Sequence, residues 1–482
     1  MSSLVIVANR LPVELGSDGE WRPSPGGLAS ALSSVVGEGV TWVGWSGVNG
    51  PALKPFTLDG IRIRPVGLSE SEAARYYGGF SNAVLWPLFH GRIRREEMNR
   101  AWWRAYRAIN DRFAAHVARV AAPDATVWIH DYHLLLVPRM LRLRRPDLRI
   151  GLFLHIPFPN AQLFSMLPWR QEVVSGMLGA DLVGFQVPED TDNFLATVAR
   201  VSSAKIDGHR IGQGKRHLEV AAFPISVDFA RWDALGTAAA DASTSLRAEM
   251  GGRSIFLGID RLDYTKGITQ RLQAFEELLQ SGALDPRTSA FVQVAVPSRS
   301  DVPAYQDEQV EVAAIVERIN RLYTDGAGCG PVRFIEASLD DVGLAAWYRA
   351  ADVLVVTSLA DGMNLVAKEF VAARSDLGGV LVLSEFAGAS HDLTGAFIIN
   401  PYDVDAIKQA LLTGRDVPAA EVASRMESMR GLVRSNDVHH WARSFLDRLE
   451  ASPTPGGRLR ALGRAVVRRS VRRVSAWRGD PS

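Results

Sequence analysis

One short segment in the second half of the chain carries two carboxylates at a spacing suited to ligand binding. Asp361–Glu369 follows the apolar run Val353–Thr357, which is typical of a buried parallel strand, and it leads into helix-forming sequence. Glycine at such a turn lets the backbone approach a ligand, and the first amides of a helix attract anions. Asp361 and Glu369 are about two helical turns apart, so both can face the same side. The segment predicts a site for a ligand that carries phosphates and hydroxyl groups.

Cationic side chains follow several of the predicted strands. Arg261 and Lys266 bracket a turn between an apolar strand and a helix, Arg10 follows the first strand, and Arg299 follows another. Two cations at a helix N-terminus suit a diphosphate, whose negative charge grows as it departs. Each of them could instead be a surface cation in a weak salt bridge. Their shared position at strand ends favours anion binding.

A glycine pair and an aromatic stretch are further candidates. Gly26 and Gly27 precede a helical run and can hold a phosphate through backbone amides, although such a turn is more often structural. Tyr77 and Trp86 lie in an aromatic-rich stretch with weak periodicity. Rings at this density are usually core residues, but sugar faces also stack on them. Both interpretations stay open from the residues alone.

Two polar residues end apolar strands in the first half of the chain. Asp131 stands between two histidines directly after a predicted strand, and His155 precedes Pro157 and Pro159. Ligands of parallel α/β folds bind beyond the carboxyl ends of strands, so both positions are candidates. A lone histidine is more often a structural residue than a functional one.

Composition narrows the class of protein. The chain has 482 residues, 47% of them hydrophobic and 22% charged, which predicts a globular protein of more than one domain. It lacks a long apolar run and a leader-like N-terminus, and its single cysteine, Cys329, excludes an internal disulfide. We therefore expect a cytoplasmic protein with no membrane or nucleic-acid partner. An assembly of identical copies is compatible with the sequence.

Several catalytic schemes lack their motifs. The chain has no Gly-x-Ser-x-Gly elbow, no Walker A loop, no His-Glu-x-x-His and no Gly-x-Gly-x-x-Gly after the first strand. Ligands at metal-binding spacing are also missing, so we expect neither a cofactor nor a metal. The remaining arginine, lysine and carboxylate set fits displacement of a nucleoside diphosphate, with cations in place of Mg²⁺.

Strands and helices are predicted to alternate along the chain, which is typical of parallel sheets covered by helices on both faces. The predicted strands are Leu4–Ala8, Val127–His130, Ile150–His155, Leu182–Gln186, Ile255–Ile259, Phe291–Val296, Val332–Ile335, Val353–Thr357 and Val380–Leu383. The predicted helices include Glu96–Val120, Ile268–Gln280, Asp307–Tyr323 and Val404–Leu412.

A stretch rich in small residues, Phe229–Gly252, is interpreted as the domain boundary. The prediction is an N-terminal Rossmann-like domain over 1–235 and a C-terminal one over 236–450, which face each other across a cleft. Residues 451–482 form a tail with eight arginines from Arg458 to Arg478 and no acidic residue between them. The tail could contact an acidic surface, nucleic acid or a membrane, but a partly disordered or surface-docked extension is the simpler interpretation.

Nine motifs together resemble the trehalose-6-phosphate synthase family, retaining glycosyltransferases of the GT-B fold. The resemblance runs from Val5 to about Trp441. It rests on the following residues in family order: Asn9-Arg10, Pro25–Leu28, Gly44–Gly47, Tyr77 with Phe80–Trp86, His130–His133, His155–Pro159, Arg261–Gly267, Ser298–Gln306 and Asp361–Glu369. It implies transfer of glucose from UDP-glucose or GDP-glucose to glucose 6-phosphate, which gives α,α-trehalose 6-phosphate.

The resemblance also implies a role for each matching residue. Glucose 6-phosphate would be held by Arg10, Tyr77, Asp131 and Arg299. Within the donor site, Glu369 would bind the ribose and the stretch from Leu365 would supply helix amides. The full set of donor-binding residues would be Gly26, Gly27, Arg261, Lys266, Leu339, Asp361, Leu365, Val366, Ala367, Lys368 and Glu369. Arg261, Lys266, Asp361 and His155 would act in catalysis, and Trp86 and His155 would favour the α anomer.

The family mechanism is front-face attack, in which the leaving phosphate accepts the acceptor's proton. This agrees with the lack of a paired acid and base at glycosidase spacing. Ala360 and Leu339 depart from the pattern of many relatives and leave the nucleobase open. No phosphatase-type Asp-x-Asp signature follows Glu450, so the product should leave phosphorylated.

Three alternatives remain at this level. A related pseudo-glycosyltransferase would join cyclitol phosphates by the same chemistry. A non-catalytic sensor of sugar phosphates should lack one or more of Arg261, Lys266 and Asp361, and this chain keeps all three. A nucleic-acid-binding role through the arginine tail would show salt-dependent binding that is lost with the tail.

Overall fold

The computed structural model describes residues 2–15, 21–23, 32, 37, 39–92, 98–213, 216–298, 303–324 and 330–452. These residues form two compact units. Unit 1 holds the described residues of 1–224 together with those of 438–482, and unit 2 holds those of 225–437.

Unit 1 is built on a largely parallel sheet. Its strands in chain order are β1 (Ser2–Arg10), β2 (Val13–Leu15), β3 (Trp21–Pro23), β4 (Thr41–Trp45), β5 (Phe56–Leu58), β6 (Ile61–Pro65), β7 (Ala121–His130), β8 (Arg149–Phe153), β9 (Leu182–Phe185), β10 (Ile206–Asp207), β11 (Arg210–Gln213) and β12 (Arg216–Ala222). The sheet order is β10-β11-β12-β9-β8-β7-β1-β4-β6-β5, and β2 pairs with β3 separately. Since β1 lies between β4 and β7, the strand order reverses there, which is where doubly wound folds bind ligands.

The helices of unit 1 cover this sheet. They are α1 (Glu70–Ala73), a π-helix (Ala74–Leu85), α2 (Trp86–Phe89), α3 (Arg100–Val120), a 3₁₀ turn (Tyr132–Leu134), α4 (Val137–Arg144), α5 (Ala161–Phe164), α6 (Arg170–Met177) and α7 (Pro188–Val201). Helix α3 begins after Asn99, whose side-chain oxygen accepts a hydrogen bond from the Ala101 amide. The helix buries Tyr106, Phe113 and Val117 at helical spacing.

The aromatic stretch of the sequence forms the π-helix. A π-helix has more residues per turn than an α-helix, which explains why a period of 3.6 is weak over Ala74–Leu85. Such helices are rare and are often found at functional sites.

Unit 2 contains a fully parallel sheet. Its strands are β13 (Ser254–Arg261), β14 (Ser289–Val296), β15 (Val332–Ile335), β16 (Val353–Val356), β17 (Val380–Ser384) and β18 (Phe397–Ile399). The order β15-β14-β13-β16-β17-β18 is that of a dinucleotide-binding fold, and the reversal lies between β13 and β16. Its helices are α8 (Phe229–Ala238), α9 (Ala240–Glu249), α10 (Ile268–Gln280), α11 (Pro303–Tyr323), α12 (Asp341–Ala350), α13 (Leu365–Ala373), a 3₁₀ turn (Gly388–His391), α14 (Val404–Asp416) and α15 (Ala419–Ser435).

The last described helix, α16 (Val438–Ala451), belongs to unit 1, although the sequence pattern predicted it in the second domain. Its Phe445 ring stacks on Trp128 with a centroid distance of 5.0 Å. A Cβ added at Gly151 or Gly184 would lie 2.7 Å from the Phe445 ring, so these glycines leave the room that the ring fills. Side chains far apart in sequence therefore determine where this helix packs.

The structural boundary between the units lies at 224 and 225, eleven residues before the predicted position. The small-residue stretch Phe229–Gly252 contains helices α8 and α9 of unit 2 instead of a linker. All nine predicted strands and the four predicted helices are present, with ends shifted by a few residues. Residues 453–482, most of the predicted basic tail, lie outside the described residues. No helix in the described part of the chain is long and apolar enough to cross a membrane.

Candidate functional site

The guanidinium of Arg10 packs against two neighbouring aromatic rings where β1 ends in unit 1. Its carbon atom Cζ lies 4.3 Å from the ring centroid of Trp45 and 5.3 Å from that of Tyr77. Arg10 pairs with Trp45 in the β1–β4 register, so the sheet itself brings the arginine and the indole together. Cation–π contacts of this kind restrict an arginine without neutralising it.

Tyr77 joins Arg10 to a second group of aromatic residues. Its ring stacks on His133 at 5.7 Å with an interplanar angle of 11°. His133 contacts the ring of Tyr132 at 3.9 Å, and Tyr132 lies 5.7 Å from Trp86. The structure thus links Arg10, Tyr77 and Trp86 through rings that follow β7.

Trp86 is buried and packs on His90 at 4.1 Å. The adjacent Tyr132 donates a hydrogen bond to Asn82 Oδ1 at 2.7 Å, which fixes its orientation. The buried Trp86 behaves as a core residue, whereas Tyr77 in the same stretch contacts Arg10. Both interpretations of the aromatic stretch, as core and as a sugar-binding surface, therefore stay open.

Asp131 adopts a backbone conformation that few residues other than glycine accept, with φ of 74°. Its amide donates to Phe153 O at 2.7 Å, and the His155 amide donates to Asp131 Oδ1 at 3.3 Å. The neighbouring ends of the parallel strands β7 and β8 therefore bring Asp131 and His155 together.

The imidazole of His155 is neutral at neutral pH. Burial lowers its pKa to about 3, and its Nε2 lies 3.1 Å from Nδ1 of His130, whose pKa burial also lowers. Phe153 packs 4.6 Å from the His155 ring. A neutral, enclosed ring suits hydrogen bonding and shaping of a pocket better than transfer of a proton at pH 7.

In unit 2, three predicted residues stand at or just after the carboxyl ends of β13 and β16. Lys266 Nζ lies 2.5 Å from Asp361 Oδ2, and both side chains are largely buried. Arg261 ends β13, and its guanidinium contacts Asp263 Oδ2 at 3.3 Å and Ser298 Oγ at 3.4 Å. Two cations and their two carboxylate partners therefore lie at the strand reversal of this sheet, the position expected for a phosphate-bearing ligand.

Asn364 shapes the turn that carries Asp361. Its φ of 82° is in the left-handed region, and its side chain caps α13 by accepting the Ala367 amide at 3.0 Å. The Asn364 Nδ2 group also donates to Asp361 Oδ2 at 3.1 Å, and Ser358 Oγ donates to the same oxygen at 3.3 Å. Of the predicted amide donors, Ala367 is thus already bonded, whereas Leu365 and Val366 form the half-buried first turn.

The side chain of Lys368 turns away from this turn. Its buried Nζ donates to Ile225 O at 2.9 Å and to Asp392 Oδ2 at 2.7 Å. Any contribution of Lys368 to ligand binding must therefore come from its backbone. The structure assigns its ammonium group to the packing of α13 inside unit 2.

Glu369 accepts a hydrogen bond from the buried Tyr348 hydroxyl at 2.8 Å. Burial raises the pKa of Glu369 to about 7, against the opposing effect of that hydrogen bond. Nothing in the local sequence around Tyr348 indicates this contact, because helix α12 brings it from 21 residues away.

Of the four remaining predicted residues, the structure describes only Leu339. Leu339 is half-buried in the loop before α12, next to Asp340, which caps that helix. Gly26, Gly27 and Arg299 lie outside the described residues. The described part of the chain holds no cluster of three metal-ligating side chains. Sequence reasoning assigned no role to Trp45, Tyr348 or Asp263, although Trp45 and Asp263 each lie in one of the nine motifs.

The free energy of unfolding of the Glu369→Gln variant, compared with that of wild type, is expected to increase as pH rises. The folded pKa of about 7 exceeds the ordinary 4.5, so the folded state holds the proton more tightly and loses stability as pH rises from 4.5 to 7. Glutamine carries no such charge. Thermal unfolding of both proteins at about pH 5 and about pH 8 measures the difference.

Glu277 is the matched control, because hydrogen bonds from Lys408 and Gln273 lower its pKa. The stability that Glu277 contributes is lost only as pH falls below 4.5, so its glutamine variant should show little change relative to wild type between about pH 5 and about pH 8. An unchanged stability difference between the two pH values for Glu369→Gln would contradict the raised pKa.

Comparison with known proteins now identifies the family. The sequence profile of glycosyltransferase family 20 matches residues 2–451. The trehalose-6-phosphate synthase of Mycolicibacterium smegmatis is 46% identical over 472 residues, covering 94% of each chain. That of Mycobacterium marinum is also 46% identical, over 475 residues and 94% of each chain.

Solved structures of trehalose-phosphate synthases are also similar to this chain. The UDP-forming α,α-trehalose-phosphate synthase of Burkholderia xenovorans in complex with glucose-6-phosphate matches with a TM-score of 0.85 and 34% identity, over 92% of this chain and 99% of that one. A structure from E. coli bound with UDP-2-fluoro glucose matches with the same TM-score and identity, over 93% and 99%.

These matches confirm the expected α/β fold class of the GT-B type, with a Rossmann-like sheet in each unit. They also confirm the resemblance to trehalose-6-phosphate synthases and the prediction of a hexosyltransferase. The chain belongs to glycosyltransferase family 20.

Proposed function

We propose that the chain transfers glucose from UDP-glucose to glucose 6-phosphate in the cytoplasm, with retention at the donor carbon, and yields α,α-trehalose 6-phosphate. GDP-glucose is the alternative donor. The names of the relatives support the reaction, and the UDP-forming Burkholderia enzyme favours uridine over guanosine. The observation that carries the proposal is the buried Lys266–Asp361 pair, which together with Arg261 stands at the carboxyl ends of the two strands beside the strand reversal of unit 2.

The donor half of the reaction is assigned to unit 2. The diphosphate accepts hydrogen bonds from Arg261 and Lys266, which stabilise the charge that develops as the bond from C1 to phosphate oxygen breaks. Asp361 accepts from donor-sugar hydroxyls while Lys266, Ser358 and Asn364 keep its carboxylate oriented. Glu369 accepts from the ribose with Tyr348 holding its other oxygen.

The acceptor half is assigned to residues of unit 1 together with Arg299 of unit 2. Arg10 and Arg299 bind the phosphate of glucose 6-phosphate, Tyr77 and Asp131 hold the sugar, and Trp86 and His155 select its α anomer. The acceptor C1 hydroxyl attacks the donor carbon on the face that the phosphate leaves, and its proton passes to the departing phosphate oxygen. The neutral His155 is consistent with a scheme in which no side chain takes that proton.

A donor panel tests the proposal. Purified protein is supplied with glucose 6-phosphate and either UDP-, GDP- or ADP-glucose, and release of the nucleoside diphosphate is followed together with the anomeric configuration of the product. The proposal expects release with UDP-glucose and an α,α-linked phosphorylated disaccharide. Absence of release with every donor would reject it, and a β-linked product would reject retention.

The same assay with a cyclitol phosphate as acceptor examines the pseudo-glycosyltransferase alternative. A preference for the cyclitol would favour that alternative. Binding of glucose 6-phosphate without any turnover would favour the sensor. A sensor of glucose 6-phosphate alone would not require the buried Lys266–Asp361 pair, which is assigned to the donor.

Arg299→Ala is expected chiefly to raise the KM for glucose 6-phosphate, by about tenfold, since a phosphate loses one charge-assisted partner. Steady-state kinetics with each substrate varied in turn measure this change. Arg287, an exposed arginine of the same unit that pairs with Asp285, gives the control variant Arg287→Ala. A change confined to the KM for the donor would show that the acceptor assignment of Arg299 is wrong.

A further inference from the structure

Gly47 lies directly against the guanidinium of Arg10. A Cβ added at Gly47 would be 1.7 Å from Arg10 Nη1 and 3.0 Å from Arg10 Cζ. Gly47 has a φ of +87° and follows β4, whose last residue, Trp45, is the register partner of Arg10. The space that the guanidinium occupies therefore exists only because position 47 has no side chain.

Two rings line the guanidinium of Arg10, a residue that is otherwise exposed. Trp45 is buried, and its Nε1 donates to Val48 O at 2.9 Å, which fixes the indole against the guanidinium. The Tyr77 ring lies next to that of Trp45, with a centroid distance of 5.8 Å, and it stacks on His133. Among the residues that the structure describes, no carboxylate forms an ion pair with Arg10.

We infer that Gly47 is a positioning residue that, with the rings of Trp45 and Tyr77, holds the Arg10 guanidinium in the orientation that binds the phosphate of the acceptor. The inference rests on the proposed function, in which Arg10 binds that phosphate. Any side chain at position 47 displaces the far end of a flexible arginine and leaves the β1 and β4 backbones in place. The effect of a substitution should therefore fall on phosphate recognition more than on folding.

The chain supplies a matched control for the backbone strain of such a substitution. Gly39 has a φ of +85°, nearly that of Gly47, but a Cβ added there would meet no atom within 4 Å. Alanine at either position adopts the same unfavourable left-handed conformation. Only alanine at position 47 also displaces Arg10.

Gly47→Ala is expected to raise the KM and the Kd for glucose 6-phosphate by about tenfold or more, the effect of misplacing a charge-assisted partner. The KM for UDP-glucose should stay within about twofold, and kcat at saturating acceptor should fall by less than about threefold. Gly39→Ala should leave all of these values at wild-type level. Both variants should lose similar thermal stability. Steady-state kinetics, calorimetric titration with glucose 6-phosphate and thermal unfolding provide these measurements.

A double-mutant cycle separates positioning from a general structural role. If Gly47 acts through Arg10, Gly47→Ala should have little further effect in an Arg10→Ala background. Equal KM values for Gly47→Ala and Gly39→Ala, or fully additive effects with Arg10→Ala, would overturn the inference while the proposed function stood. A wild-type protein that neither binds nor uses glucose 6-phosphate would reject the proposed function and this inference with it.

Discussion

Lys266→Met is expected to lower kcat by about 10²-fold or more while the protein remains folded. In the proposed reaction, Lys266 neutralises the diphosphate as it leaves, and loss of one preorganised donor to a developing charge typically has an effect of this size. The substitution also removes the 2.5 Å contact to Asp361 Oδ2, which leaves that carboxylate with Ser358 and Asn364. Both consequences act on the transition state more than on acceptor binding.

Turnover with UDP-glucose and glucose 6-phosphate at saturation measures the effect, and circular dichroism checks the fold. Lys408→Met is the control, since Lys408 makes exposed ion pairs with Glu277 and Asp405 in the same unit and should keep wild-type turnover. Arg261→Ala should lower kcat by about tenfold or more, because Arg261 is the second proposed diphosphate cation. Wild-type turnover in both Lys266→Met and Arg261→Ala would remove the leaving-group assignment.

Arg271→Met is expected to destabilise unit 2 by about 3–5 kcal/mol, the usual result of removing one partner from a buried ion pair. The guanidinium of Arg271 is fully buried and lies 2.6 Å from Asp260 Oδ2 and 2.9 Å from Gln293 Oε1. Burial already raises the pKa of Asp260, although Arg271 opposes this. Without the arginine, the carboxylate must be buried unpaired or take up a proton.

Denaturant unfolding measures the loss of global stability, and hydrogen exchange of the unit 2 amides measures the local loss. Arg318→Met is the control, because Arg318 pairs with Glu276 at 2.6 Å on the exposed surface of the same unit and should change stability by less than about 1 kcal/mol. Adding Asp260→Asn to Arg271→Met should recover part of the stability by removing the unpaired charge. Equal losses for Arg271→Met and Arg318→Met would show that the buried pair is not a special determinant of stability.

The Arg271 network also bears on the candidate site. Asp260 is the residue directly before Arg261, and Arg271 donates to Val355 O in the neighbouring strand β16. The same buried cation thus ties together the two strands whose ends carry Arg261 and Asp361. We expect Arg271→Met to lower activity through loosened strand ends even at temperatures where unit 2 stays folded.

The local sequence was sufficient for most strands and for the cations at their ends. Apolar runs such as Val353–Thr357 have the length and composition of buried parallel strands, and a helix-forming segment with a glycine turn follows. In parallel sheets such strand ends gather at one edge, so the residue pattern alone groups Arg261, Lys266 and Asp361. The same reasoning groups Asp131 with His155.

Only the tertiary structure decided the contacts that depend on register and on distant packing. The pairing of β1 with β4 brings Gly47 and Trp45 against Arg10, and α12 carries Tyr348 to Glu369. The return of α16 to unit 1 depends on Phe445 filling the space above Gly151 and Gly184. Local patterns encode burial and element type, because those depend on neighbouring residues. Which elements meet is decided by the packing energy of side chains that are tens to hundreds of residues apart, and no local pattern records it.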